Sequence, residues 1–170
     1  MQNLETLKPL AFIFLLLAVL VIDFLQTRWR SHVMRAFAER HGFSFRPGHR
    51  HTFFPSHEPP IPYTFRPHTY PANRMDHSWN VIQGEVKGLQ ILILDSNLNL
   101  GPRHQQTCTF IAAKAQVSPF PDRDASEQSV LTNGWFALYR VGFFGTPKTI
   151  SINRLEKHLE NFSPSKIDAP

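Results

Sequence analysis

Apolar residues follow three different rhythms along this chain, and each predicts a different kind of element. The first is an unbroken run over residues 10–22, and residues 9–25 carry a single charge, Asp23. That length is at the short end of what crosses a hydrocarbon core, which takes roughly 20 residues. The second rhythm is helical: Trp29, Val33, Met34, Phe37 and Ala38 recur at intervals of three and four, with Arg28, Arg35, Glu39 and Arg40 distributed around them. It predicts one helix continuing beyond the apolar run. Gly42 is placed to end it, because a glycine just past the last turn takes the left-handed conformation without a side-chain clash. A short strand over 43–46 is expected next.

The third rhythm is alternation, and it fills the second half of the chain. Residues 79–86 and 89–95 flank Lys87-Gly88, a two-residue connection of hairpin type. Leu89, Ile91 and Ile93 fall on one side and Leu92 and Leu94 on the other, so the strand is apolar on nearly both faces and belongs in the middle of a sheet. Residues 95–103 read as a polar loop, with Asp95 expected to form a turn with nearby backbone. A third strand is predicted over 106–116, in which Cys108, Phe110 and Ala112 alternate with Thr107, Thr109 and Ile111. Asn133-Gly134, between 128–132 and 135–141, signals a second hairpin. Asn153 with Glu156 three residues on predicts a capping box, and Ile152, Leu155, Leu159 and Phe162 mark one face of a closing helix that Pro164 stops.

Between these regions, residues 47–71 hold seven prolines, a density that breaks both rhythms. They read as an irregular, partly polyproline linker whose aromatics, among them Phe53, Phe54 and Tyr63, are expected to lie against the folded domain or a bilayer surface. The expected class is therefore α+β: an N-terminal transmembrane helix, then a small antiparallel-sheet domain with a C-terminal helix. The segments are a tail over 1–8, a transmembrane helix over 9–25, a juxtamembrane helix over 26–41, a Pro/His-rich linker over 42–77, a β-rich soluble domain over 78–162 and a tail over 163–170.

Flanking charge decides between an anchor and a cleaved signal peptide. A signal peptide carries positive charge before its apolar core and small residues after it, whereas here Glu5 and Lys8 precede the run and Gln26, Thr27, Arg28 and Trp29 follow. An uncleaved anchor fits better. Lysine and arginine beside a span set its orientation, and the arginines behind outnumber Lys8 in front, which places the bulk of the chain on the cytoplasmic side. Arg28, Trp29, Arg30 and Arg35 are the candidate membrane-interface residues, Trp29 as an interfacial aromatic.

Positive charge is concentrated in the same region. Residues 26–77 contain eight arginines against Glu39, Glu58 and Asp76, while residues 78–170 hold nine basic and eight acidic residues. That placement favours anionic lipid headgroups over nucleic acid, for which no binding motif is present, and no nucleic-acid partner is expected. Six of the nine histidines lie between His41 and His77, and His49-x-His51 has the look of a ligand pair. A zinc centre needs further ligands in fixed geometry, so no metal or cofactor is expected. Cys108, the single cysteine, excludes an intrachain disulfide, and with His104 four residues earlier it is the one nucleophile-and-base pair the sequence offers. Its place in an apolar strand argues for a packed thiol instead.

The stretch Asn80-Val81-Ile82-x-Gly84, then Gly88, an apolar strand ending in Asp95, a polar loop and Gln106-Thr107 opening the next strand, resembles a family of uncharacterised bacterial single-pass membrane-anchored proteins. The resemblance covers about residues 35–115. It departs at Ser96, where an aromatic is usual, and after Phe120, where the chain is abbreviated. It implies a bacterial inner membrane and a β-rich soluble domain, and carries no activity. The expected role is a binding or tethering module at the inner face of that membrane. Its partners would be the lipid bilayer and an unidentified membrane or cytoplasmic protein, with Asp95, Asn97, Asn99, Arg103 and His104 as the binding loop. An enzyme without a recognisable signature, or an exported domain, is the alternative.

Overall fold

The structure, a computed structural model, describes residues 3–48, 75–99, 105–115, 118–121, 123–132, 134–142 and 147–162. The linker histidines and aromatics over 49–74, the loop residues Arg103 and His104, and Pro164 lie outside them. The chain divides into two compact units, Met1–Val33 and Met34–Pro170.

One helix, α1 (Asn3–Arg40), runs without interruption from the apolar stretch into the second unit. Pro9 is accommodated in its early turns. Among the described residues it is the one helix long and apolar enough to cross a membrane. It ends as the glycine signal predicts: Gly42 has φ +68°, and the amides of Gly42 and Phe43 donate back to the carbonyls of Glu39 (3.2 Å) and Ala38 (2.8 Å). This paired reversal satisfies carbonyls that the helix end would otherwise leave open.

The second unit is a seven-stranded antiparallel sheet closed by a helix. Its strands are β1 (Ser44–Arg46), β2 (Met75–Val86), β3 (Leu89–Asn99), β4 (Gln105–Ala113), β5 (Glu127–Thr132), β6 (Trp135–Val141) and β7 (Pro147–Lys148), followed by α2 (Ile152–Glu160). The spatial order is β1-β2-β3-β4-β6-β5, with β7 also paired to β6. Both expected hairpins form. Val86 pairs with Leu89 across Lys87 and Gly88, which have φ +49° and +82°, the left-handed pair that matches the twist of the two strands. Thr132 pairs with Trp135 at the second.

Period-two patterning then sorts the side chains of β3 and β4 into two buried sets. Ile91, Ile93, Ile111 and Ala113 join Ile82 and Leu138 against Met34, Phe37 and Ala38 of α1 and Leu155, Leu159 and Phe162 beside α2. Leu92, Leu94, Leu98, Cys108, Phe110 and Ala112 form the other set with Val81, Ala137 and Tyr139. β3 is thus buried on both faces, as its sequence implies. The helical stripe of α1 likewise earns its apolar residues: Met34, Phe37 and Ala38 are fully buried. The folded unit therefore begins at Met34, well before residue 78, and the region expected to be linker contributes β1 and the start of β2.

Two local expectations are corrected. The predicted polar loop does not begin at Asp95, because β3 continues to Asn99 and keeps pairing with β4 through Asn99–Gln105. Polar side chains persist in the strand because each finds a partner across the ladder. The capping box also does not form. Ser151 is the N-cap, its carbonyl accepting from the amides of Arg154 (3.1 Å) and Leu155 (3.0 Å), so Asn153 falls inside α2. Glu156 instead meets Arg40, with Oε1 2.6 Å from Nη1.

Candidate functional site

The apolar half of α1 is exposed around its whole circumference. Leu10, Phe14, Leu15, Leu20 and Leu25 are 60%, 76%, 64%, 58% and 58% exposed, where a helix packed in a soluble core would be covered on at least one side. Of the four residues predicted at the membrane interface, Arg28 is exposed and its guanidinium lies over the Phe24 ring, 5.1 Å from the centroid. Trp29 is 68% exposed. Arg30 is half-buried and engaged, about 160° around the helix from Arg28. Arg35 belongs to the second unit, exposed, with its guanidinium over Phe45 at 5.5 Å. The helix surface thus does not gather the four into one patch.

The second candidate, the stretch starting at Asp95, proves to be internal. Asp95 is 1% exposed, Ser96 fully buried and Asn97 8% exposed, leaving Asn99 as the exposed member. Asp95 accepts a hydrogen bond from Thr109 Oγ1 at 2.6 Å on β4 and from Asn80 Nδ2 at 3.0 Å on β2. Thr109 Oγ1 in turn accepts the Ile150 amide at 3.1 Å, which ties the approach to α2 into the same network. Asn80 reaches Asp95 because β2 changes register between Trp79 and Ile82, and Asn80 sits there with φ +50° while its amide donates to the Pro47 carbonyl at 3.1 Å. Asparagine tolerates this left-handed geometry better than most residues. Thr107 donates to Asn97 Oδ1 at 3.3 Å, and Ser96 donates to the His77 carbonyl at 2.8 Å. Asp95 is therefore a cross-strand anchor and not a turn-former. The same network joins the Asn80 and Asp95 ends of the motif that carries the sequence resemblance. The motif's glycine also has a steric role: a Cβ at Gly84 would be built into the ring of Phe43.

A third cluster was not legible from spacing. Glu127, whose side chain is 1% exposed at the start of β5, accepts from Arg154 Nε at 2.8 Å and Nη2 at 3.0 Å, and from the Asp124 amide at 3.0 Å. His158 Nε2, on the next turn of α2 and also buried, lies 3.0 Å from Glu127 Oε1, with its ring against the edge of Phe120. Burial alone would raise the Glu127 carboxyl, but the Arg154 hydrogen bonds, the Asp124 amide and His158 together bring it down to about 2. All four contacts converge on one carboxylate and lock α2 to the outer strand. The i, i+4 spacing of Arg154 and His158 was the available signal, and nothing in the sequence names their partner.

Cys108 is fully buried among Leu94, Phe110 and their neighbours, and burial, aided by the charge of Asp95, pushes its thiol well above the ordinary range. Such a thiol is a packing group, since the thiolate is the reactive form. Among the described residues no group of three or more His, Cys, Asp or Glu is placed to hold a metal ion. No protein-family model, curated protein or solved structure matches the chain.

Proposed function

We propose that this protein is a single-pass membrane-anchored binding or tethering module, held by α1 in a bacterial inner membrane with its sheet unit on the cytoplasmic side. The observation that carries the reading is the apolar surface of α1 over residues 10–25, exposed on every side. Each large apolar side chain left in water forgoes about 1.5–3 kcal/mol of burial, and a hydrocarbon core is the solvent that recovers it for all of them. The cytoplasmic orientation rests on the basic residues that follow the span. A kinship with bacterial anchored proteins of the kind the Asn80–Asp95 motif resembles is part of the same proposal.

With Asp95, Ser96 and Asn97 engaged inside the sheet, they support the unit and do not offer a contact surface. A partner would be met by groups beyond Asn99 and by the exposed residues of the strands and helices. Resistance to extraction from membranes by alkaline carbonate is expected, and release into the soluble fraction would end the anchor reading. A C-terminal reporter active on one side only should report the cytoplasm; activity outside would favour an exported domain. Purification of the full chain in mild detergent tests the tethering role through a protein partner recovered at constant ratio.

A further inference from the structure

We propose that Arg28, supported by Phe24 and His32, is a binding site for the phosphate of an anionic phospholipid in the bilayer that α1 spans, a proposal that rests on the membrane-anchored reading above. The length of the span sets the depth. Residues 9–25 rise about 25 Å as a helix, less than the roughly 30 Å of a typical hydrocarbon core, and a short span draws its flanks into the headgroup layer. Arg28 follows the last apolar residue, Leu25, by about 4.5 Å of helical rise.

Side-chain direction then aims the charge. Helical side chains lean toward the N-terminus, and the Arg28 guanidinium lies over the ring of Phe24, one turn back toward the apolar stretch. The charge is therefore held at the boundary instead of reaching away from it. A guanidinium resting on a ring keeps its in-plane N–H fork, the geometry that pairs with two phosphate oxygens.

No acid opposes the site. Among the described residues Arg28 has no carboxylate partner, and Asp23, the nearest acid in sequence, lies about 140° around the helix. His32 follows one turn later on the same exposed side as a second donor, and exposed Trp29 stands next to Arg28 as an aromatic suited to the headgroup layer. Arg30 is excluded by its half-buried position on the other side of the helix.

The test uses the full chain in nanodiscs of phosphatidylcholine containing a minority of phosphatidylglycerol, with retained lipids identified by native mass spectrometry. Phosphatidylglycerol should be retained about fivefold above its share of the bilayer. Arg28→Gln should bring retention down to the bilayer share and Arg28→Lys should fall between, while Arg123→Gln on the sheet unit should change nothing. Retention by the wild type at the bilayer share, or undiminished retention by Arg28→Gln, overturns the lipid site. Failure of the wild type to enter discs at all overturns the anchor and the site together, whereas insertion without selectivity overturns the site alone.

Discussion

Replacing Glu127 by glutamine removes one charge and keeps the shape, and the structure sets how much that should cost. Arg154 and His158 lose their common acceptor. His158 is 2% exposed at its side chain, but Arg154 is 25% exposed and keeps Asp124 at 3.5 Å. Breaking a buried ion pair on one side costs about 3–5 kcal/mol, and the partial exposure of Arg154 places this site near 3. Against a domain stability of roughly 5–15 kcal/mol, the urea midpoint should fall visibly and Tm should drop by about 10 °C. The dependence on pH is the sharper readout. The folded carboxyl is depressed to about 2 from an ordinary 4.5, so its contribution is present above about pH 4.5 and is lost as pH falls through the folded value. The difference between wild type and Glu127→Gln should therefore be full at pH 7 and shrink between pH 4.5 and 2. Urea titrations of detergent-solubilised full-length protein, followed by near-ultraviolet circular dichroism, measure both. Equal midpoints at pH 7, or a difference that persists unchanged to pH 2, would refute the view that this carboxylate fastens α2. A triple replacement by apolar residues of similar volume, Glu127→Leu with Arg154→Met and His158→Leu, should recover much of the loss, because an empty ionic site is worse than an apolar one.

Other perturbations probe the remaining joints. Phe37→Ala should cost the sheet unit about 3–5 kcal/mol by leaving a cavity among Ile82, Ile93 and Leu155, read as a lower urea midpoint with membrane retention unchanged. Gly84→Ala forces the Phe43 ring to move and should destabilise by about 1–3 kcal/mol; Phe43→Ala in the same chain should relieve part of it, and strict additivity would argue against that contact. Thr109→Val removes the donor to Asp95 and the acceptor of the Ile150 amide, at a cost of about 1–3 kcal/mol, and faster amide exchange at Ile150 is the specific sign.

Where the sequence pattern is periodic, it reads through to the structure. Alternation over Leu89–Leu94 places β3 inside the sheet, Lys87-Gly88 makes the tight turn, and the stripe ending at Ala38 finds its groove. The failures share a physical cause. Hydrophobic patterning treats Asp95, Ser96 and Asn97 as solvent-facing, yet hydrogen bonds from residues as distant in sequence as Asn80 and Thr109 make their burial tolerable. Asn153 has the local chemistry of a cap, but the first helical bonds go to Ser151. Glu127 carries no local signature because its partners are Arg154 and His158, far along the chain.

The shared core of Met34 and Phe162 bears on how the chain comes to be made. Its earliest and latest contributors are nearly the whole unit apart in sequence, so during synthesis the oily turn at Met34 and Phe37 emerges long before its closing neighbours exist. Folding must wait for the final helix, and the nascent chain carries an unsatisfied hydrophobic seam until then. Cutting off the last dozen residues would leave no smaller folded remnant but an open, adhesive half-sheet.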